Sequence, residues 1–238
     1  MHFLDLTLPT PEENLALDEA LLAAAEETGD GETLRIWESA TPFVVLGYFC
    51  QLANDVDEAA CRAGGVPILR RVSGGGTVLQ GPGCLNFAVV LDMRTEPMLR
   101  DIGRSNSIIL DRIADALAPR FSGIEFHPPN DIAIAGRKFS GNAQRRRRDW
   151  MLHHGTLLYD FPLANVARCL REPQRQPDYR ASRPHRDFLM NLATDRAWLA
   201  ARLRETWQAD KDANDWPRAL TTELAATRYS NPEWIRRR

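Results

Sequence analysis

The segment spanning residues 70–86, RRVSGGGTVLQGPGCLN, joins two stretches that are typical of β-strands, Val66 to Val72 and Leu85 to Leu91. Three consecutive glycines let a backbone approach a ligand closely, and successive amides can bind a phosphate or carboxylate. The segment has neither the GK[ST] ending of a P-loop nor a GxGxxG that opens a helix. It therefore predicts either a ligand-binding loop or the flexible tip of a hairpin.

Helices are predicted before and after this segment. The first begins with a capping box at Thr10 to Glu13, TPEE, and ends at the glycines after residue 28. Apolar spacing predicts three more helices, at Leu52 to Arg62, Ile102 to Leu117 and Asp195 to Ala209. Further strands are predicted at Leu34 to Trp37, Phe43 to Leu46, Ile124 to His127, Ile132 to Ala135 and Leu152 to Tyr159.

The order of these elements predicts the fold class. Helices do not alternate strictly with strands, so we expect an α/β (α+β) fold of mixed or antiparallel sheets flanked by helices, and not a doubly wound parallel sheet. No interior linker is evident in the 238 residues, which predicts a single domain over residues 1–238.

Composition excludes several classes of function. The 30 basic and 32 acidic residues nearly cancel, so the chain has no excess positive charge with which to hold nucleic acid. No apolar run reaches the roughly 20 residues needed to cross a bilayer, and the N-terminal sequence does not resemble a signal peptide. We therefore expect a cytoplasmic protein with no membrane partner.

The four cysteines, Cys50, Cys61, Cys84 and Cys169, are widely spaced and form no CxxC pair. This spacing argues against a disulfide framework or a structural zinc site. Free thiols are the simpler interpretation, and a nucleophilic thiol is the alternative, which requires a neighbouring base or positive charge to lower its pKa.

Two further segments carry candidate site residues. In GRKFSGNAQ, residues 136–144, Lys138 is close to a turn, and Asn130 and Asp131 lie at the other end of the preceding strand. A lysine ammonium can stabilise the negative charge that develops during acyl transfer, although most lysines in turns are simply solvated. His154 in HHGTLL either lines a pocket or packs in the interior. The arginine run 145–148 predicts a solvated or mobile loop, and docking of an acidic partner is the alternative.

Taken in order, RRVSGGGTV, GCLN, NDI, GRKFSGNAQ and HHGTLL resemble the catalytic domain of the lipoate protein ligase A family, which belongs to a superfamily with octanoyltransferases and biotin protein ligases. The resemblance extends from about residue 10 to residue 192. It implies a biotin/lipoate protein ligase catalytic-domain fold with an acyl chain held in a tunnel. It also implies an acyl adenylate against the glycine-rich loop.

The resemblance assigns Lys138 as the catalytic residue that bonds the acyl carbonyl and the α-phosphate, and Asp131 as a residue that also helps to hold Mg²⁺. It implies that the remaining positions bind the acyl group or nucleotide: Arg70, Ser73, Gly74, Gly75, Gly76, Thr77, Val78, Gln80, Asn86, Asn130, Asp131, Ser140, Gly141, His154, Gly155 and Thr156. Gln80 stands where many family ligases have histidine, and an amide cannot titrate.

The implied function is ATP-dependent ligation of lipoate or octanoate to a lysine of a lipoyl-domain carrier protein. The first alternative is octanoyl transfer from acyl carrier protein, in which Cys84 or Cys169 is the nucleophile. The second alternative is a non-catalytic acyl or lipoyl-domain binding protein, suggested by Gln80 and by the expectation that the separate small C-terminal domain of longer ligases is absent. In a ligase, that expectation leaves open a need for a separate accessory subunit.

Overall fold

The computed structural model describes residues 1–237, and these residues form eleven strands and nine α-helices. The strands are β1 (His2–Asp5), β2 (Thr33–Trp37), β3 (Phe43–Leu46), β4 (Ile68–Arg70), β5 (Val78–Gln80), β6 (Cys84–Asp92), β7 (Ile124–His127), β8 (Asp131–Ile134), β9 (Arg137–Arg146), β10 (Trp150–Leu158) and β11 (Lys211–Asp212). The helices are α1 (Pro11–Thr28), α2 (Leu52–Asp55), α3 (Glu58–Ala63), α4 (Ile102–Leu117), α5 (Ala164–Cys169), α6 (His185–Phe188), α7 (Arg196–Thr206), α8 (Arg218–Leu224) and α9 (Pro232–Arg236).

The strands form two sheets. The large sheet has eight strands in the order β11-β1-β2-β6-β10-β9-β8-β7, and the small sheet has three in the order β4-β3-β5. Strand β1 pairs in parallel with both of its neighbours, and the other pairs of the large sheet are antiparallel. The predicted fold class of mixed sheets flanked by helices is confirmed.

The large sheet is covered on both faces. Every residue of its central strand β6 is buried. On one face, Val89 of β6 belongs to the main apolar core with Ile109 of α4 and Leu203 of α7. On the other face, Ala88 packs with Leu22 of α1. This second face also carries the polar side chains of the candidate site.

Helix α1 begins as the sequence predicts. The Thr10 hydroxyl accepts a hydrogen bond from the Glu13 amide at 3.2 Å, and the Glu13 carboxylate accepts one from the Thr10 amide at 3.0 Å. Amides at the start of a helix have no hydrogen-bond partner within the helix, and these reciprocal bonds satisfy two of them. The helix ends at Gly29, whose φ of 75° lies in the left-handed region that glycine adopts readily.

The single helix predicted from Leu52 to Arg62 is wrong, because the chain forms two short helices there, α2 and α3. Val56 between them is extended and forms a bridge with Leu170. The Asp57 side chain then caps α3 by accepting a hydrogen bond from the Ala60 amide at 2.9 Å. A long-range pairing therefore interrupts a continuous helical pattern.

The loop predicted at the arginine run is wrong in its first half, because β9 extends to Arg146. The Arg146 guanidinium donates hydrogen bonds to the carbonyl oxygens of Leu99 at 2.5 Å and Arg100 at 3.0 Å. Only Arg147 and Arg148 continue as exposed residues beyond the strand. None of the helices in residues 1–237 has the length and apolar character to cross a bilayer.

Candidate functional site

A cavity of about 1300 Å³ lies between the small sheet and the polar face of the large sheet. The small sheet contributes Val45 and Gln80 to its wall, and the large sheet contributes Asn86 and Thr156. The connection between α5 and α6, which includes Tyr179, forms another side. A cavity lined by apolar residues with a few convergent polar groups is the usual form of a small-molecule site.

Strand pairing explains why distant residues share this wall. Residues opposite each other in an antiparallel pair point to the same face. Asn86 pairs with Thr156, and Ala143 pairs with His154. All four side chains therefore lie on the cavity face.

Close backbone approach shapes the glycine-rich loop, residues 73–76. A Cβ atom added to Gly47 would lie 2.0 Å from the Gly75 carbonyl oxygen, so only glycine fits at position 47. Gly75 itself has a φ of 79°, in the left-handed region. In contrast, a Cβ atom at Gly74 or Gly76 would meet no heavy atom within 4 Å. The loop is packed on one side and open on the other, as a ligand-binding loop requires.

Arg71 holds this loop in place. Its guanidinium donates to the carbonyl oxygens of Gly74 at 2.5 Å and Gly76 at 2.8 Å, and to the Ser73 hydroxyl at 3.0 Å. Burial lowers the pKa of Arg71 to about 10, so the group still carries its charge at neutral pH. Arg71 also lines the cavity, so it places a positive charge beside the glycine-rich loop.

Lys138 is held at the cavity wall by Asp131. Its Nζ lies 2.7 Å from Asp131 Oδ1, and the Tyr179 hydroxyl donates to Asp131 Oδ2 at 2.8 Å. Burial and the Asp131 charge raise the pKa of Tyr179, so this hydroxyl stays a donor. An ammonium has three N–H donors, and two of them remain for a ligand.

Gly141 makes room for the lysine. A Cβ atom at this position would lie 2.8 Å from Lys138 Nζ, which is closer than real contacts allow. Lys138 is also one of only two lysines in the chain, the other being Lys211, although 30 residues are lysine or arginine. The site thus has a compact ammonium in a chain whose other basic side chains, apart from Lys211, are arginines or histidines.

Two amide side chains in the wall offer acceptors to a ligand. Gln80 Oε1 and Asn142 Oδ1 are buried and have no hydrogen-bond partner among the described residues. The Asn142 amide nitrogen donates to the Asn130 carbonyl at 3.0 Å and to Ser140 Oγ at 3.1 Å, which fixes its orientation. Leaving such an acceptor unpaired costs about 1–3 kcal/mol, so a ligand N–H or O–H is favoured there.

Ser73, His154 and Asp18 form a continuous hydrogen-bonded row. Ser73 Oγ lies 2.6 Å from His154 Nε2, and His154 Nδ1 lies 3.3 Å from Asp18 Oδ2. Asp18 also forms an ion pair with Arg35 at 2.6 Å, with side-chain exposures of 4% and 0%. The row therefore runs from a fully buried charge to the glycine-rich loop.

Most of the residues predicted for the site do line the cavity. They are Gly75, Gly76, Thr77, Val78, Gln80, Asn86, Asn130, Asp131, Lys138, Gly141, His154, Gly155 and Thr156. Thr77 also donates to Asp55 Oδ2 at 2.6 Å. The structure thus brings together positions from five separate sequence segments, while their individual roles stay predictions.

Four predicted residues lie behind this wall: Arg70, Ser73, Gly74 and Ser140. Arg70 is fully buried, and its guanidinium donates to the carbonyl oxygens of Gly47 and Cys50, both at 2.8 Å. The neighbouring Arg71 points to the cavity instead. Ser73 and Ser140 reach the site through His154 and Asn142.

Sequence reasoning missed Asp18, Arg71 and Tyr179. Asp18 lies in the middle of α1, where an acidic residue normally marks a solvated face. Tyr179 lies in an irregular, arginine-rich stretch without periodicity. Of the three, Arg71 could have been found from the sequence. Successive residues of a strand point to opposite faces, so the two adjacent arginines, Arg70 and Arg71, have to face different sides of the small sheet.

The cysteines differ in their access to the cavity. Cys84 and Cys169 are fully buried and do not line it, and burial raises the pKa of Cys84. Cys61 is also buried, with a pKa raised to about 12. Cys50 lines the cavity, and its thiol is 3.4 Å from the Gly75 carbonyl oxygen. Burial raises the pKa of Cys50 as well, which disfavours the thiolate.

The chain is similar to known proteins over most of its length. The Lipoyl protein ligase A/B catalytic domain family matches residues 10–200 of the chain. Octanoyltransferase LipM from Carboxydothermus hydrogenoformans is 26% identical over 262 residues, which cover 98% of this chain and 97% of that protein.

Solved structures give the same result. A structure of a bi-partite lipoate protein ligase and its E2 lipoyl domain from Thermoplasma acidophilum contains a chain with a TM-score of 0.78 and 25% identity, and the match covers 99% of this chain and 95% of that one. A lipoate-protein ligase A bound with ATP has a TM-score of 0.82 at 24% identity, covering 99% of this chain and 98% of that one. The second likeness shows a shared fold.

Proposed function

Because the chain belongs to the lipoyl protein ligase A/B catalytic domain family, we propose that it activates lipoate or octanoate with ATP and transfers the acyl group to a lysine of a carrier protein. One observation carries the proposal. Lys138 Nζ is held 2.7 Å from Asp131 at the wall of a large cavity, with the open glycine-rich loop in the same wall.

Ligation would take two steps. A carboxylate oxygen of the acid attacks the α-phosphorus of ATP, and pyrophosphate leaves. The ε-amine of the acceptor lysine then attacks the acyl carbonyl carbon, and AMP leaves with the electron pair of the broken C–O bond. Both steps build negative charge on oxygen, which the two remaining N–H donors of Lys138 would stabilise.

The residues present fit a nucleotide. Gly76 lines the cavity with open space beside it, which leaves backbone free for phosphate oxygens, and Arg71, bonded to the Gly76 carbonyl, adds a fixed positive charge. The Gln80 and Asn142 oxygens are acceptors of the kind that an amino group of a base requires. These features support ATP as the co-substrate.

Magnesium would be held chiefly by ATP. Residues 1–237 contain no cluster of three or more histidine, cysteine or acidic side chains placed to hold a metal ion. Mg²⁺ commonly binds one or two carboxylates together with substrate phosphates. Asp131 has lone pairs beyond those used by Lys138 and Tyr179, so it is the carboxylate that would hold the ion. The ion would screen the triphosphate charge.

The thiols support ligation over a cysteine-based transfer. A cysteine nucleophile has to reach the acyl donor and form a thiolate. Cys84 and Cys169, the two thiols favoured by the sequence, are fully buried outside the cavity wall. Adenylate chemistry needs no such nucleophile.

Octanoyl transfer from acyl carrier protein is the second candidate. Its support is the similarity to an octanoyltransferase over 98% of this chain. Cys50, the thiol in the cavity wall, would then be the acyl-carrying residue. Burial raises the pKa of Cys50 and so disfavours the thiolate that this reaction requires, whereas the similarity over nearly the whole chain favours the transfer.

A lipoyl domain is the proposed acceptor. The similar archaeal ligase was solved with its E2 lipoyl domain, and that ligase is bi-partite. Because that ligase is bi-partite, a separate accessory chain is a component to add when the activity of this protein is tested.

Mass spectrometry of a lipoyl-domain acceptor tests the function directly. The protein is incubated with lipoate and magnesium ATP, or with octanoyl acyl carrier protein without ATP. We expect acylation in the first reaction. Acylation only in the second would establish the transferase, with Cys50 as the first residue to replace.

A third reaction, with lipoate, magnesium ATP and an accessory chain, separates an incomplete ligase from a binding protein. Product only in this reaction would establish a two-chain ligase. Tight lipoate binding with no product in any reaction would contradict both enzymatic proposals and leave the non-catalytic acyl-binding function.

A further inference from the structure

The exposed residues of the cavity wall define the mouth of the cavity. Phe49, Gly76 and Pro129 line the cavity and are exposed to solvent. Lys138 lies in the same wall. A lysine side chain has only a four-carbon stem, so an acceptor lysine that reaches a carbonyl bound at Lys138 brings the body of its own domain against the mouth. Surface residues beside the mouth therefore have to contact the acceptor.

The end of β9 leads from the mouth to the surface beside it. Ala143 lines the cavity, and Arg145 is the next residue of β9 on the same face. The Arg145 guanidinium lies over the Tyr48 ring, 6.0 Å from its centroid. Tyr48 in turn packs edge-to-face against Phe49, with ring centroids 4.8 Å apart. Arg145 is thus beside the mouth.

The start of α4 adjoins the same end of β9. The Gln144 side chain donates to the Ile102 carbonyl oxygen at 3.3 Å, and the Asn106 side chain donates to the carbonyl oxygen of Pro129 at 3.0 Å. The Ile102 side chain is 60% exposed, and Met98, four residues earlier, is 46% exposed. Protein interfaces are enriched in methionine and arginine and have apolar residues at their centre. This surface has that composition.

The surface is strongly basic in a chain that is not. Residues 97–107 and 144–149 contain six arginines and two aspartates, whereas the whole chain has a net charge of -2. One of the six, Arg146, is bonded inward to carbonyl oxygens. The other five are exposed, and they are Arg100, Arg104, Arg145, Arg147 and Arg148. We call these five arginines, with Met98 and Ile102, the basic rim.

Carboxylates of the chain neutralise only part of this charge. Asp149 lies 3.3 Å from Arg100 and 3.1 Å from Arg148, and Glu26 lies 3.8 Å from Arg148. Asp101 caps α4 instead. Within residues 1–237, the other three arginines of the basic rim form no ion pair with a carboxylate. Guanidinium groups of this kind bind carboxylates of a partner in a bidentate manner.

We propose that the basic rim docks an acidic face of the lipoyl-domain acceptor, so that the acceptor lysine enters the cavity toward Lys138. The proposal deepens the proposed function and rests on it for the identity of the acceptor. The fitting partner carries aspartates or glutamates beside its lysine and an apolar residue opposite Ile102. Complementary charges at the edge of an interface speed encounter and fix register.

The test measures acyl transfer to an unmodified lipoyl domain that has carboxylates beside its target lysine, at about 50 mM and about 500 mM NaCl. We expect the double variant Arg145→Glu/Arg147→Glu to raise the KM for this acceptor about 10- to 30-fold at low salt. Its kcat should change by less than about threefold, because Lys138 is untouched. At high salt the difference in KM should fall below about threefold, because exposed charges are screened.

Arg147→Glu alone should give a smaller shift in the same direction, and it carries the test if the double variant does not fold. Arg218→Glu is the matched control, since Arg218 is an exposed arginine on α8 outside the cavity wall and the basic rim. Ile102→Ser should raise the KM about three- to tenfold at both salt concentrations, because burial of an apolar side chain is not screened by salt.

A charge swap tests direct contact. A lipoyl domain whose carboxylates beside the lysine are replaced by lysines should have a raised KM with the wild-type protein. The same domain should have a lower KM with Arg145→Glu/Arg147→Glu than with the wild type, because only groups in contact show such coupling.

Isothermal titration calorimetry of the same pairs requires no turnover, so it separates failure of the function from failure of the docking surface. Salt-sensitive binding by the wild type that the double variant loses, with no acylation by either, would contradict the proposed function and support the docking surface. Normal acylation with an unchanged KM for the double variant at low salt would do the opposite.

Three further results would overturn the proposal. The first is a fall in kcat with an unchanged KM, which would place the arginines in the chemistry. The second is a raised KM for octanoyl acyl carrier protein alone, which would assign the surface to the donor. The third is lost binding to phosphatidylglycerol vesicles with unchanged binding of the lipoyl domain, which would assign it to a membrane.

Discussion

Two ion pairs on the same face of the large sheet differ in what surrounds them. Lys138 and Asp131 keep side-chain exposures of 22% and 10%, whereas Arg35 and Asp18 are exposed by 0% and 4%. A charge at a cavity wall can exchange its partner for a substrate, while a charge sealed in the interior cannot without a large desolvation cost. The first pair is therefore suited to chemistry, and the second to holding the position of other groups.

Their bonding partners follow the same division. Arg35 also donates to the Asn14 carbonyl at 2.8 Å and to Asn14 Oδ1 at 2.7 Å, so it ties α1 to the sheet. Among the described residues, Asp131 is the side chain that binds the Lys138 ammonium. Replacement of Lys138 should thus change the rate of acyl transfer, and replacement of Arg35 should change the stability of the fold.

Replacement of Lys138 should have the largest effect. We expect Lys138→Ala to lower acyl transfer by about 1000-fold or more, because it removes the donor aimed at developing negative charge. The free energy of unfolding should change by less than about 1 kcal/mol, since the lysine is partly exposed. Acceptor mass spectrometry and urea unfolding measure the two quantities.

Lys211→Ala is the matched control, because Lys211 is the other lysine of the chain and is exposed on β11. It should leave both quantities unchanged. Near-normal transfer by a folded Lys138→Ala protein would remove Lys138 from the mechanism.

The buried pair should dominate stability. We expect Arg35→Met to lower the free energy of unfolding by about 3–5 kcal/mol, because Asp18 is left as an uncompensated buried charge. Urea unfolding of this variant is compared with Asp131→Asn, which should cost less than about 1 kcal/mol at the cavity wall. Equal losses would show that burial does not distinguish the two pairs.

Replacing Gly141 with alanine should displace the Lys138 side chain without removing it. Gly141→Ala places a Cβ atom 2.8 Å from Lys138 Nζ, so the ammonium has to move. We expect transfer to fall by about 10- to 100-fold with a small change in melting temperature. Gly103→Ala serves as the control in steady-state assays, because its Cβ atom would lie at an ordinary contact distance of 3.4 Å from Asp101 Oδ1 at the start of α4.

Cys50 should give the smallest effect if ligation is the reaction. Cys50→Ser then changes the rate by less than about threefold, because adenylate chemistry uses no protein thiol. A loss of about 1000-fold with the octanoyl carrier donor, together with loss of an acyl-enzyme in intact-mass spectra, would establish the thiol-based transferase instead. The same protein preparation gives both measurements.

Pattern-based prediction succeeded where a local rule governs the structure. The capping box at Thr10, the helix from Ile102 to Leu117 and the strand from Ile124 to His127 all form as predicted. It failed where a distant segment intervened, as at Val56, which bridges to Leu170. Strand β1 was not predicted, because four residues next to a terminus carry too little periodicity.

The family, the class of fold and part of the cavity wall were predictable from the chain alone, because the order of five short motifs and the spacing of apolar residues are properties of the sequence. Tertiary packing was needed to place Arg71, and not Arg70, at the cavity wall, and to bring Tyr179 to the carboxylate that holds Lys138. It also placed Asp18 beside His154, 136 residues away. The physical reason is that strand pairing and helix packing set side-chain direction and long-range contact, and neither is encoded in the spacing of residues along one segment.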